Sequence, residues 1–469
     1  MIMNESTTGL PAGARMLPIV IAGGQFARAC IIAASVAIAF RAFAQDGAPP
    51  NPDSTAPSTQ PDQPKADAPS APAFMRVQEV KNKSIELQIA TRNYVQAEGK
   101  GPRVGLVGVA HIGDATFYRE LQKVLDQYDI VLYESVKPSG ASKPGGETAE
   151  QRIESTQSSM RFVRGMIETY NHQKDGYPAN LDDVREFAAK QDPRLAQFMR
   201  DATVDAWGHD LQYGLLADAA NPQHVYALIS FGADGVGGGE DENADIDLGD
   251  EPAPDPLALS KEDGLQSQLA EALGLEFQLD AVDYSRPTFR CSDMDMDELN
   301  RRLAAKGLDF EVLGGTLAGS SLPGKLIKLL LGVMKLADTF MDGAITDTFK
   351  VVMIEMLGDP ALTDMSMNQL GQGFGEVIIN NRNEVALADL KSIIEREPQT
   401  KSVAIFYGAG HMGDFDARLR EMGYAPADDG ERWLTGMKVD LTQSAVSPRE
   451  LNQIRAMIKQ AIRQQLQAR

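Results

Sequence analysis

The chain has 469 residues, with 66 acidic against 45 basic side chains and a formal charge of -21, the wrong sign for attraction to phosphate backbones or anionic lipid. Nucleic acid is therefore not expected as a partner. Hydrophobic residues make up 43% and charged residues 24%, a globular balance at a length that suits two or three domains, each with its own core.

The first 44 residues read as an export signal. Arg15 and Arg28 precede the apolar run from Cys30 to Phe40, and Ala42-Phe43-Ala44 supplies the small-residue cleavage signature. The run is shorter than the ~20 residues needed to cross a bilayer, so cleavage after Ala44 and a periplasmic or extracellular location are expected, with no integral span. Cleavage would leave Cys291 as the single cysteine, which excludes an internal disulfide and a cysteine-based metal cluster. Residues 45–80 read as a disordered tether, because Gln45 to Pro72 holds eight prolines among small and polar residues.

An α/β pattern follows over 81–140. Ile85 to Val95 and Val104 to Val109 have strand composition, and Ala115 to Gln127 places Phe117, Leu121, Val124 and Leu125 on one helical face. Asp129 to Tyr133 is a further strand, so a βαβ unit with parallel pairing is predicted. A linker is expected around Pro138, then a helix from Ile153 to Tyr170, then short turn-rich acidic pieces from Asp175 to Asp250. Glu251 to Pro256 would close this insert, assigned to 150–250. Helical periodicity returns at Leu265 to Leu273, Met296 to Ala305, Gly324 to Met341 and Asp347 to Leu357. Within 260–445 a helix over Glu384 to Glu397, a strand over Ser402 to Tyr407 and a helix over Phe415 to Met422 are predicted. A terminal helix from Pro448 is expected over residues 446–469.

Two stretches match each other. Gly108-Val109-Ala110-His111-Ile112-Gly113-Asp114 and Gly408-Ala409-Gly410-His411-Met412-Gly413-Asp414 both read G-x-x-H-x-G-D between a strand and a helix. Asp114 and Asp414 are placed to cap the helices. Each histidine falls beyond the carboxyl end of a strand, the edge of a parallel sheet where ligands bind. Glu134, ending its own strand, reaches the same edge. Two imidazoles and a carboxylate can hold a divalent metal that activates water, or act as base, acid and orienting group without one. The spacing leaves both open.

Together with Leu273-Gly274-Leu275-Glu276-Phe277-Gln278, Asn381-Arg382-Asn383 and Gly423-Tyr424, these segments resemble the TraB/PrgY/GumN family. That family is related to the Tiki proteases and, more distantly, to erythromycin-esterase-like enzymes. The resemblance covers about residues 85–137 and 262–440 and implies a sheet with flanking helices and a catalytic site at His111, Glu134, Arg382 and His411. By it, Arg382 would supply a fixed cation for a carboxylate or oxyanion. Family members include metal-dependent peptidases, metal-free esterases and signalling proteins, so a peptide or ester substrate is implied without a choice between them.

The insert carries a second resemblance. Tyr170 to Pro178, Asp205-Ala206-Trp207-Gly208-His209 through Tyr213, and Ser230 through Ile246 resemble the globular part of the type II secretion major pseudopilin. Members of that family bind calcium in the last loop. Asp234, Asp241 and Asp245, with backbone oxygens near Phe231 and Val236, are the implied ligands, and oxygen donors on a glycine-rich loop suit a hard cation. Here the module follows a linker rather than an apolar assembly helix, so recognition of a secreted or envelope partner is expected instead of polymerisation.

Two motifs are set aside. Gly319 to Lys325 mimics a phosphate loop but is followed by Leu326 where Ser or Thr is required. Asp293 to Asp297 mimics the start of a calcium hand, yet Glu298 and Ala304 stand at its glycine and glutamate positions, so a helix cap is predicted. No H-E-x-x-H and no G-x-S-x-G occurs. The sequence thus predicts an exported hydrolase carrying a calcium module, or else a non-catalytic binding or signalling protein linked to type II secretion.

Overall fold

The computed structural model describes residues 73–96, 99, 101–216, 225–254, 265–308, 343–359 and 373–467. The expected signal, most of the tether, the segment Lys325 to Met341 and the phosphate-loop mimic lie outside the described residues. The tether ends earlier than residue 80, because Met75–Val80 forms the first strand, β1, paired antiparallel to β2 at Ser84–Gln96.

The next elements follow the predicted order. They are β3 at Arg103–Val109, a two-residue β4 at Ile112–Gly113, α1 at Ala115–Leu125 and β5 at Ile130–Tyr133. After them come α2 at Ala149–Lys174, α3 at Leu181–Gln191, α4 at Pro193–Ala202, then β6 at Gln212–Leu215, β7 at Tyr226–Ser230 and β8 at Ile246–Asp247. The second half contains α5 at Leu265–Ala272, β9 at Glu276–Phe277, α6 at Gln278–Ala281, β10 at Phe289–Cys291, α7 at Met296–Ala305 and α8 at Ala344–Leu357. It continues with α9 at Arg382–Arg396, β11 at Ser402–Gly408, α10 at Met412–Glu421, β12 at Tyr424–Asp440 and α11 at Pro448–Gln467.

Seven strands build one mixed sheet, in which β3, β11, β5 and β10 lie parallel in that order and β2 joins antiparallel to β3. The four parallel strands are almost wholly buried, as expected for strands covered on both faces. One face packs Leu106, Leu132 and Ile405 against Leu387, Leu390 and Phe415 of α9 and α10.

The βαβ expectation needs one correction: β3 and β5 are parallel but do not touch. β11 is inserted between them, with Gly408 opposite Val109 and Phe406 opposite Tyr133. A strand some 300 residues downstream therefore occupies the centre of the unit. Sequence proximity favours direct pairing of β3 with β5, and only tertiary packing of the buried β11 displaces it.

β12 was not anticipated. Its Pro426, Gly430 and Gly436 fall at two register shifts, which absorb them while the strand pairs along β2.

The region from Asp175 to Asp250 is more helical than predicted. Asn180 and Asp192 cap α3 and α4 through their side chains, and Pro193 sits at the first turn of α4, so residues that read as turn signals are helix starts. The supposed linker near Pro138 is also packed. Gly140 has φ of +72°, and a Cβ there would meet Ser158 O at 2.1 Å, so only glycine lets the chain pass against α2.

The module of α2 to α4 and the antiparallel sheet β6-β7-β8 is fastened to the edge of the main sheet. The Gln197 amide donates to Cys291 O at 3.3 Å and accepts from Cys291 N at 2.8 Å, imitating a neighbouring strand along β10. Ser158 donates to Asp297 at 2.6 Å. An edge that would otherwise be open to intermolecular pairing is thereby covered.

Candidate functional site

All four parallel strands end at one place, and each delivers a polar side chain just beyond its last residue. β3 leads to His111, β5 to Glu134, β10 to Asp293 and β11 to His411, while Arg382 arrives from the first turn of α9. The two matched turns differ in detail. The first continues into β4, paired with β9, whereas the second makes a 3-10 turn over Ala409–His411 and runs straight into α10. Neither aspartate caps with its side chain, contrary to expectation. Asp114 faces Lys350 Nζ at 3.8 Å, and Asp414, inside α10, accepts from Asn383 at 2.8 Å and Arg418 at 2.8 Å.

The carboxylate of Glu134 is held from both sides. Arg382 Nη2 donates to Oε1 at 2.8 Å, and the Gly408 N–H donates to Oε2 at 2.6 Å. His411 Nε2 lies 3.6 Å from Oε1. Arg382 also grips Asp293, through Nε at 3.0 Å and Nη2 at 2.6 Å. The sequence places Asp293 in a helix cap, but the capping side chain is that of Asp295, which accepts from the Glu298 N–H. Recognising the three-residue strand Phe289–Cys291 would have put Asp293 on the same edge as Glu134.

Both histidines have amide partners on Nδ1. His111 Nδ1 is 2.9 Å from Gln278 Oε1, and His411 Nδ1 is 2.7 Å from Asn383 Oδ1. His111 is exposed, whereas His411 is buried, with Tyr407 edge-on to its ring at 5.2 Å. The Tyr407 hydroxyl donates to Ser292 O.

Gly408 lies at the centre. A Cβ on it would stand 3.3 Å from Glu134 Oε2, 3.7 Å from His411 Cδ2 and 3.9 Å from His111 Nε2. A gap slightly too tight for a methyl group is therefore bordered by both rings and the carboxylate. His111, Glu134, Arg382 and His411, dispersed along the sequence, converge here.

Charge in the cluster follows from burial and pairing. Burial alone would raise the Glu134 carboxyl, but Arg382, the two histidines and the Gly408 N–H outweigh it and hold the group well below the usual carboxylate range. For Asp293 burial wins over Arg382 and the carboxyl is raised. Burial lowers Arg382, yet Asp293 and Glu134 keep it firmly protonated. His411 is pushed down to about 4 by burial, with Glu134 pulling the other way. Cys291 is a buried free thiol pushed up to about 12 by burial, so it does not serve as a nucleophile at neutral pH.

A pH dependence follows from His411. Its folded value lies below the ordinary 6.5, so its contribution is full above pH 6.5 and is lost as pH falls towards 4, by about 3 kcal/mol in all. His411→Gln is expected to flatten the decline of urea-unfolding stability over that window. A variant declining as steeply as the parent would contradict this.

Among the described residues no group of three or more His, Cys, Asp or Glu side chains is arranged to hold a metal ion. At the histidine site the carboxylate that could complete a set is already paired with a guanidinium 2.8 Å away, so the donor set fits a cation poorly. In the module, Asp234 Oδ1 accepts from the Val236 N–H at 3.0 Å and Asp245 Oδ1 from the Gly238 N–H at 2.9 Å. Asp241 lies in a 3-10 turn in the same loop, which Ala233 N to Glu242 O closes at 2.8 Å. These three are brought into one loop but stand apart from the histidine site.

The architecture defines a mixed α/β protein with a buried carboxylate, arginine and histidine cluster at the carboxyl edge of a parallel sheet core. Within it, residues 144–249 match the model of the family described as type II secretion system (T2SS), protein G. Comparison with curated proteins and with solved structures returned no match.

Proposed function

We propose that the chain is an exported hydrolase of the TraB/Tiki-like kind, acting on a peptide or ester carbonyl without a metal at the histidine site. The gap over Gly408, bordered by both imidazoles and an ionised carboxylate, carries this reading. Burial keeps His411 neutral, as a base must be. In the proposed step, water loses a proton to His411, its oxygen forms the new bond to the carbonyl carbon, and Glu134 stabilises the imidazolium produced. The His411 imidazolium then gives that proton to the departing alcohol or amine as the old bond breaks, and His111, which is exposed, takes the remaining proton of the new carboxylic acid on Nε2 and passes it to solvent. Arg382 steadies Glu134 and is not free to meet substrate, because both buried carboxylates claim it.

Purified protein screened against peptide and ester libraries in the presence of chelator tests the reading. Turnover is expected to survive chelation and to fall at least tenfold in Gly408→Ala, which fills the gap with a methyl group at a backbone φ any residue adopts. Turnover abolished by chelator, or unchanged by Gly408→Ala, would count against it.

A second reading rests on the match of residues 144–249: the module recognises a secretion-system or secreted partner in the cell envelope. Calcium would sit among Asp234, Asp241, Asp245 and loop carbonyls and stiffen the recognition loop. At 100 times its Kd, calcium is expected to stabilise the protein by about 2.7 kcal/mol, an effect absent in Asp245→Ala. Equal calcium stabilisation of the parent and that variant would exclude this ligand set.

A further inference from the structure

Glu134 and Asn383 compete for the proton of His411. A carboxylate oxygen 3.6 Å from Nε2 favours the ring form protonated on Nε2, which would leave no lone pair in the cleft. Asn383 opposes this with a shorter contact, its Oδ1 2.7 Å from Nδ1. The orientation of the Asn383 amide is fixed independently, because its Nδ2 donates to His411 O at 3.1 Å and to Asp414 Oδ2 at 2.8 Å. Only its oxygen can then face Nδ1, so Nδ1 must carry the hydrogen. Gln278 makes the same kind of contact at the other histidine. Its Nε2 donates to the Tyr284 hydroxyl at 3.0 Å, its backbone N–H donates to His111 O at 2.8 Å and holds it beside the ring, and its Oε1 lies 2.9 Å from His111 Nδ1. Both amide side chains are buried, Asn383 completely, so water does not substitute for them.

We infer that Asn383 and Gln278 are positioning residues that fix both imidazoles as the Nδ1–H form, turning two Nε2 lone pairs towards the gap over Gly408. Neither amide touches the gap itself. They act through the rings, and the matched histidine turns thus have matched partners drawn from different elements, α9 and α6. The inference needs the hydrolase reading only for its effect on rate.

Nitrogen-15 spectra of the full-length protein at pH 8 test it directly, since the chain has only five histidines. The signals lost in His111→Ala and in His411→Ala are expected to show a protonated Nδ1 and a bare Nε2. In Asn383→Leu, His411 is expected to move to the Nε2–H form. Either ring carrying Nε2–H in the parent protein overturns the inference, and the parent spectrum decides the matter even if Asn383→Leu does not fold. For His111 the kinetic counterpart is a loss of at least tenfold in kcat for Gln278→Leu, largely restored in Gln278→Glu, which keeps the acceptor. Equal loss in both variants would assign Gln278 a packing role. Correct ring forms without turnover of any peptide or ester would leave this inference standing and end the hydrolase reading.

Discussion

Arg382→Met is expected to destabilise the protein by about 3–5 kcal/mol, the largest loss of any single substitution at this site. The guanidinium sits between Glu134 and Asp293, both buried, and bonds to each within 2.8 Å. Its removal leaves two carboxylates in a setting that cannot hydrate them. The physical signature is a coupling: Arg382→Met combined with Asp293→Asn should recover part of the loss, because one of the two uncompensated charges is gone. Urea unfolding at pH 7 measures both. A loss below 1 kcal/mol for the single substitution would mean that water reaches the cluster, and the assignment of a sealed ion group would fail.

His411→Ala is expected to lower kcat/KM by about 100- to 10000-fold, the span usual for a lost general base. Stability should fall as well, since the ring is buried against Tyr407 and bonded to Asn383. His111→Ala separates the two effects. That ring is exposed, so the rate should drop with little change in unfolding. Kinetics on refolded, monodisperse protein and urea titration of the same samples give the comparison, and an active His111→Ala protein would remove His111 from the proton path.

Much of this site was legible in the sequence because its chemistry sits in repeated local signals. Both glycine-flanked histidine turns follow largely apolar strands, and Glu134 ends another, so their placement at a carboxyl sheet edge follows from strand order. Asp293 escaped because its strand is three residues long and its neighbours, Asp295 and Asp297, look like a capping cluster. For Arg382 the sequence shows a cation near a helix start, expected to face a carboxylate or oxyanion, but not the two buried carboxylates, Glu134 and Asp293, that it pairs with. The insertion of β11 between β3 and β5 was equally invisible, since strand composition says nothing about which of several apolar strands takes the centre of a parallel sheet. The module was readable through its aromatic and glycine-rich segments. Its attachment was not, because Gln197 imitating a strand along β10 is a tertiary event with no local pattern.

A kinetic cycle over His111→Ala, His411→Ala and the double variant probes the shared cleft most directly. If the two imidazoles serve one proton path, the double variant is no slower than the slower single variant, because either loss already disables the unit. Losses that multiply would mean that the histidines work independently, and the single-cleft account would be wrong.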